Sequence, residues 1–351
     1  MAATDPLWLP SLSYDETELR KMDSAFVMAD GTALGSRAGI RPGDPGLAVS
    51  LSGTTVNVTA GTATVTRANQ GVYRSQLAAT SPGTLAAANA SFSRIDLVYL
   101  RVWDTSVDSS GLQKTDTVYL AGTASASPVA PTPGATEIYI PLATITVPST
   151  GGGGTGAATV SSAVRQLTVA PGGILPVSSA ADIAASGLYA GQVRYNTVSG
   201  GLEIWTGSAW QAQGIWTSFT PSWTASTTNP TLGNGTLVSR WCRVGRMINW
   251  MGTLTLGSTS NGGTGLWRMS LPVTAASGGS MPTWRGVFSY LKPGDNDYVG
   301  QCILAPGGTV IDFIIKSGAN SSSTQNVSNT APVAATSGNV IMWSLTYETA
   351  S

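Results

Sequence analysis

"RMINWMGTLTL" (Arg246–Leu256) decides the fold class. Ile248, Trp250, Leu254 and Leu256 fall on one alternation; Met247, Asn249, Met251, Thr253 and Thr255 fall on the other. Successive side chains of a strand point to opposite faces, so a period of two describes an antiparallel strand buried on one side. Upstream, "NPTLGNGTLVSRWCRVG" (Asn229–Gly245) leads from a turn-rich loop into the same alternation. Downstream, Trp267, Met269 and Leu271 repeat it until Pro272 stops the run, and "TVIDFIIK" (Thr309–Lys316) and "NVIMWSLTYE" (Asn339–Glu348) add further strands. Turns recur at the spacing of roughly 8–12 residues that marks a β-sandwich. Residues 215–351 are therefore expected to form an antiparallel β-sandwich head.

The rest of the chain is also read as β. Its 351 residues allow two or three domains, at roughly 100–200 residues each. Charged residues make up only 10%, against about 25% in an ordinary soluble domain. The surface must then be built from hydroxyls, amides and backbone, which suits short strands joined by Gly, Ser, Thr and Asn turns. Eighteen basic residues balance 18 acidic ones without a Lys/Arg run, which argues against nucleic-acid binding, since phosphate neutralisation needs clustered cations. No apolar run reaches the roughly 18 residues of a membrane helix, and "MAATDPLWLPSL" lacks the pattern of a secretion signal.

The chain contains no His, so histidine-based nucleophilic triads, His metal ligands and a histidine general base are excluded. Cys242 and Cys302 cannot build a structural zinc site by themselves. They are read as buried thiols, with a disulfide as the alternative. No cofactor, metal site or catalytic group is expected.

Along the N-terminal part (1–150), "DETELRKMDSAF" (Asp15–Phe26) places Leu19, Met22 and Phe26 on one helical face, with acidic residues in the first turn as the helix dipole prefers. Such a helix either docks a partner or covers a neighbouring sheet. "TTVNVTAGTATVT" (Thr54–Thr66) reads as a hairpin broken at Ala-Gly. "RIDLVYLRVWD" (Arg94–Asp104) is apolar on both alternations, as in a central strand buried on both faces. "DTVYLAGT" and "EIYIPLATITVP" continue the strands, and "ASPVAPTPGA" between them is a loop. "STGGGGTG" (Ser149–Gly156) is read as a flexible break between domains. A linker and small β collar (151–214) follow, with three short strands in "GQVRYNTVSGGLEIWTGSAWQAQG" (Gly191–Gly214). A unit so small buries too little surface to stand alone and needs a neighbour or copies of itself.

The order of these segments resembles the tail-fibre and minor tail proteins of bacteriophages, particularly those of actinobacterial hosts. The resemblance rests on "NPTLGNGTLVSRWCRVGR", "LPVTAA", "GVFSYLKPGDNDYVGQCIL" and "APVAATSGNVIMWSLTYETAS" in the head, on "GQVRYNTVSGGLEIWTGSAW" in the collar, and on "GTTVNVTAGTATV", "SRIDLVYLRVWD" and "YLAGTASASPVAP" in the N-terminal part. Trp241 and Cys242 depart from the family pattern, which more often has small polar or basic residues there. The resemblance implies a fibre-like homotrimer in the virion tail. Its N-terminal domain would attach to tail-tip or baseplate proteins, and its head would bind a host cell-surface glycan. Tyr195, Trp205 and Trp210 are the expected trimer contacts, gathered near a threefold axis.

Within the head, the receptor contact is expected in "MPTWRGVFSYLKPGDNDYVG" (Met281–Gly300), which combines Trp284, Arg285, Tyr290, Asp295, Asn296, Asp297 and Tyr298. Lys292-Pro293-Gly294 forces a turn, because Pro fixes φ and Gly permits positive φ. Carboxylates and amides take sugar hydroxyls, and an aromatic face lies against the C–H side of a sugar ring. Seven of the 11 Trp fall at or after Trp216, but Trp250, Trp267 and Trp343 alternate within strands and are read as core. A glycan-degrading spike would need two carboxylates at a set separation. The only acids after Trp216 are Asp295, Asp297, Asp312 and Glu348, and they read as turn and strand-edge residues. A structural adaptor that touches no receptor is the other alternative.

Overall fold

The computed structural model describes residues 13–277, 282–294, 297–316 and 324–350. The chain divides into one unit up to Gln211 and a second from Ala212. The described residues are predominantly strands, as the alternation requires.

In the first unit, strand β6 (Arg94–Asp104) is central, between β7 (Gln113–Leu120) and β8 (Ile138–Val147). Val98, Leu100 and Val102 on one alternation and Leu97 and Tyr99 on the other are all buried, as its two-faced apolar pattern demands. β9 (Thr159–Ser161) pairs antiparallel with β8. The glycine run is therefore a correction: it joins the two strands of a hairpin and does not separate domains. Gly153 and Gly154 adopt φ of +97° and +58°, so the run supplies left-handed turn geometry rather than slack.

The Ala-Gly break is a second correction. β1 (Val49–Ser52), β2 (Thr55–Val58) and β5 (Thr80–Thr84) form one sheet, while β3 (Gly61–Arg67) pairs with β4 (Gly71–Leu77) in another. At Ala60–Gly61 the chain passes from one sheet to the other. A Cβ on Gly61 would stand 2.7 Å from Gly46 Cα, so the glycine serves a close backbone approach. Helix α1 (Glu16–Met22) starts at a capping box in which Asp15 accepts from Glu18 N and Glu18 accepts from Asp15 N. Leu19, Met22 and Phe26 are exposed, and α1 meets β4 through Arg20 instead, whose guanidinium lies 4.5 Å from the Tyr73 ring. Asp104 caps the short α2 (Thr105–Asp108) through Ser106 N.

The collar is a four-stranded sheet in the order β10 (Leu175–Val177), β11 (Val193–Asn196), β12 (Gly201–Trp205), β13 (Trp210–Ala212). Helix α3 (Ala180–Ala184), capped by Ser179, lies between β10 and β11 in sequence.

The second unit has β14 (Thr217–Phe219), β15 (Trp223–Ala225), β16 (Thr236–Val244), β17 (Met247–Thr255), β18 (Trp267–Ser270), β19 (Trp284–Leu291), β20 (Asp297–Leu304), β21 (Val310–Lys316), β22 (Thr324–Asn326) and β23 (Val340–Glu348). They form one sheet, in the order β14-β16-β17-β23-β19-β20-β21-β18-β15, with β22 on β21. This refines the expected sandwich of two sheets. β14 and β15 end the sheet on opposite sides yet only Thr220, Pro221 and Ser222 separate them. The sheet must curl until its two edges meet, and one core fills the interior.

That core holds Ile248, Trp250, Trp267, Met269, Tyr290, Leu304, Ile311 and Phe313, each no more than 1% exposed. All four inward residues expected of Arg246–Leu256 are buried there. Cys242 and Cys302 are buried free thiols, which decides against the disulfide. Gly245, at φ +59°, opens the two-residue turn between β16 and β17, the position that a type II′ hairpin reserves for glycine.

Candidate binding surfaces

The β19–β20 hairpin carries the residues expected to contact a receptor, and its register separates them. Tyr290 pairs with Tyr298 and Leu291 with Asp297 near the turn, whereas Trp284 pairs with Leu304 at the far end. Tyr290 is fully buried, accepts a hydrogen bond from Asn339 Nδ2 at 2.7 Å, and has its phenol pushed up by burial. Trp284 and Tyr298 are partly buried against the head core. The Tyr298 ring stands edge-on to Tyr290 at 6.4 Å. Arg285 and Asp297 are exposed, with Arg285 donating to Gln301 Oε1 at 2.6 Å. Asp295 and Asn296 lie outside the described residues. Among the described residues the expected mixed aromatic and polar cluster is divided: alternation sends Trp284, Tyr290 and Tyr298 to the inner face and Arg285 to the outer one.

The other acids of the head are held apart. Asp312 accepts from Arg268 Nε at 2.9 Å, and Glu348 pairs with Arg246 at 3.0 Å. These lie on different strands in ion pairs that stabilise the sheet surface modestly.

The sheet instead presents a trough of about 730 Å³ on its outer face. Two cross-strand rows line it. One runs Val238–Thr253–Met342–Ser289–Val299, and the next runs Arg240–Met251–Ser344–Val287. Val238, Val287 and Val299 are 63–69% exposed. The volume falls in the range of about 300–1,000 Å³ common to ligand pockets. At one side Arg240 lies 5.0 Å from the ring of exposed Trp216. Sequence reasoning missed this surface because it searched loops for polar groups. The signal was present, however: the outward positions of five strands hold Val or Met where an amphipathic strand ordinarily holds Thr, Ser or Lys.

In the collar, the expected axis contacts separate. Trp205 is buried, and its ring lies 5.3 Å from that of Trp210. Trp210 stacks on Arg194 at 3.9 Å and donates its Nε1 hydrogen to Ala185 O. Both tryptophans are therefore engaged within their own chain, and Tyr195 alone of the three points outward, 39% exposed.

Beneath the tryptophans lies a buried ion pair. Arg194 Nε donates to Glu203 Oε2 at 2.6 Å, and its terminal nitrogens donate to the carbonyls of Asp182, Ile183 and Ala185 at the end of α3. Asn196 Nδ2 donates to Glu203 Oε1 at 3.0 Å. Each charged group is paired and hydrogen-bonded, the condition under which charge is tolerated inside a protein.

Among the described residues, no group of three or more Cys, Asp or Glu converges as a metal site, and no helix is long and apolar enough to cross a membrane. No family model, no curated protein and no solved structure matches the chain.

Proposed function

We propose that this chain is a bacteriophage tail-fibre or minor tail protein of the receptor-binding type, a homotrimer in the virion tail. In this reading the N-terminal β-domain attaches it to tail-tip or baseplate proteins, and the head meets the host surface, with a cell-wall glycan as the receptor. The observation that carries it is the head itself. It is a separate unit with its own core, closed by the meeting of its sheet edges, and it exposes a broad trough rather than an assembled set of reactive groups. The sequence resemblance supplies the biological setting. The contact is assigned to the trough and its Trp216–Arg240 side, in place of the β19–β20 turn.

The lining favours a second reading as well. Valine and methionine side chains, with no carboxylate among them, suit a protein surface better than a sugar. A structural tail adaptor would use the same trough to hold a neighbouring tail protein.

Residues 212–351 can be tested as a fragment because their core is their own. The labelled fragment is added to a panel of actinobacterial cells, to their purified wall glycans, and to tails lacking this protein. Saturable binding to cells and glycan, lost in Val299→Asp, supports the receptor reading. Binding to tails alone supports the adaptor. Binding to neither overturns the assignment of the trough.

A further inference from the structure

The sequence contains two Asn-Gly pairs, Asn234-Gly235 and Asn261-Gly262, and both lie in the head. An asparagine followed by glycine can cyclise. The glycine's backbone nitrogen attacks the side-chain amide carbon, and no Cβ obstructs it. The structure holds the two pairs in opposite states. Asn234 is locked: its Oδ1 accepts from Thr259 N and Thr259 Oγ1, each at 2.9 Å, and its Nδ2 donates to Ser258 Oγ at 3.0 Å. The nitrogen that would attack it, Gly235 N, donates to Leu232 O at 2.9 Å.

Asn261 is exposed, and its side chain is held only where holding helps the attack. Its Oδ1 accepts from Gly263 N at 2.9 Å. That bond reaches two residues along the chain, so it draws the side-chain carbonyl over the intervening peptide, toward Gly262 N. It also withdraws electron density from Cγ, the carbon to be attacked. Among the described residues, Gly262 N and Asn261 Nδ2 donate to no acceptor. An amide without a hydrogen bond gives up its proton without prior local opening. The glycine itself is demanded by the fold, because a Cβ on Gly262 would collide with Asn329 Oδ1 and stand 2.7 Å from Trp267 Cζ2. The residue that least hinders ring closure is thus fixed beside an exposed asparagine.

We propose that Asn261 is a self-modification site, converted to aspartate and isoaspartate by attack of Gly262 N, while Asn234 is preserved. Gly262 N loses its proton to hydroxide, and its electron pair forms the bond to Asn261 Cγ. The Cγ–Nδ2 bond breaks, and Nδ2 takes up a proton and leaves as ammonia. The product is a five-membered succinimide. Water then opens the ring. Addition at Cγ breaks the new bond and leaves an aspartate. Addition at the α-carbonyl carbon breaks the original peptide bond and routes the main chain through Cγ, as isoaspartate. The site matters because of its anchors. Asn261 N and O pair with Thr231 at 2.9 and 2.8 Å, and Gly262 O accepts from Trp267 Nε1 at 2.6 Å. Trp267 is fully buried and packs against Trp223 and Tyr290. An isoaspartate inserts an extra main-chain atom between the Thr231 and Trp267 anchors, so both cannot keep their register. The lifetime of the head is then set by this reaction as well as by unfolding. The proposal does not rest on the proposed function.

The test uses the full chain, incubated at mildly alkaline pH in native buffer and in urea. Trypsin places the two asparagines on separate peptides, because Arg240, Arg243 and Arg246 lie between them. In native protein the Asn261 peptide should accumulate aspartate and isoaspartate at a rate that rises with pH. The Asn234 peptide should change at least about tenfold more slowly, since its hydrogen bonds must open first. In urea the two rates should converge. Aged native protein should unfold at lower denaturant than fresh protein. Asn261→Ser, which keeps a side-chain oxygen for the turn and has no amide to lose, should age without that change. Equal native rates at the two sites, or a faster Asn234, overturn the proposal. So does an Asn261 that stays intact in native protein over a period in which urea converts it.

Discussion

Gly252 stands directly across the β17–β23 ladder from Trp343, and the Trp343 indole fills the space that a Cβ on Gly252 would take. The same device recurs on the inner face. Gly300 faces Phe288 and Gly286 faces Cys302, and in each pair the larger side chain lies over the glycine. A curled sheet has less room inside than a flat one, so large core residues need a missing side chain opposite them.

Gly252→Ala should therefore destabilise the head by about 1–3 kcal/mol, the usual cost of overpacking a core. Urea unfolding of the 212–351 fragment measures it. In Gly252→Ala/Trp343→Leu, the smaller partner should reduce the cost of the added methyl relative to the wild-type background, leaving the part due to Ser239 Cβ, which would stand 2.7 Å from it. Equal penalties in both backgrounds would show that the indole is not the obstacle.

Arg194→Met should destabilise the first unit by about 3–5 kcal/mol, because it leaves the Glu203 carboxylate buried without its partner. Arg194→Met/Glu203→Leu should recover most of that loss, since removing both charges removes the desolvation penalty. The readout is denaturant unfolding followed by tryptophan fluorescence, to which Trp205 and Trp210 contribute from beside the ion pair. A double variant as unstable as the single one would mean that the hydrogen bonds to α3, rather than the charge, hold the collar.

Stability should fall at both ends of the pH scale for separable reasons. Tyr73 donates to Asp104, Tyr99 to Glu137 and Tyr119 to Asp96, at 2.6–2.8 Å. Burial first, and then the adjacent carboxylate, push all three phenols above their ordinary value. The unfolded phenols ionise near pH 10. Their contribution is thus complete below about pH 10 and is lost as pH rises toward the folded values. Asp104 is shifted the other way. Burial opposes its charge, but hydrogen bonds from Ser106 and Tyr73 outweigh it and hold its pKa down. That contribution is present above about pH 4 and is lost as pH falls below it. Denaturation midpoints across the pH range should show both flanks, and Tyr73→Phe should make the alkaline one shallower. An unchanged alkaline slope in that variant would exclude Tyr73 as a source.

The two thiols should react with a maleimide only as fast as the head opens. Burial pushes the Cys302 thiol up to about 12, so at neutral pH almost no thiolate forms while the head is folded. Two equivalents should be taken up in denaturant, and the native-state rate should follow the unfolding rate. Rapid labelling of native protein at either cysteine would contradict this burial.

What could be read from the sequence tracks how local the governing physics is. Ile248, Trp250, Leu254 and Leu256 were legible as core because a period of two follows from strand geometry alone. The two-sided burial of Arg94–Asp104 was legible for the same reason. Four consecutive glycines looked like a linker because composition reports permitted conformations, not which one a hairpin requires. The Ala60–Gly61 crossover was hidden because its cause, the approach of Gly46, lies 15 residues away in sequence. Trp205 and Trp210 were assigned to an axis by their size, but Arg194 decided their side of the sheet. The receptor cluster failed on parity: Tyr290 and Arg285 are near in sequence but lie on opposite faces of their strand.

The position of β23 in the head ladder has a consequence for synthesis. It is the last strand along the chain, yet it sits between β17 and β19. Until residues 340–348 emerge, those two strands have no partner on that side, and the β14-β16-β17 half of the ladder is not joined to the β19-β20-β21-β18-β15 half. The head therefore cannot close progressively as it is made. Its folding waits on contacts of long sequence separation, which form slowly, and its exposed edges must be protected meanwhile. A ribosome that stops short of Val340 yields a chain whose first unit is intact and whose head stays open. Emergence of Val340–Glu348 and competence of the head are thereby made the same event.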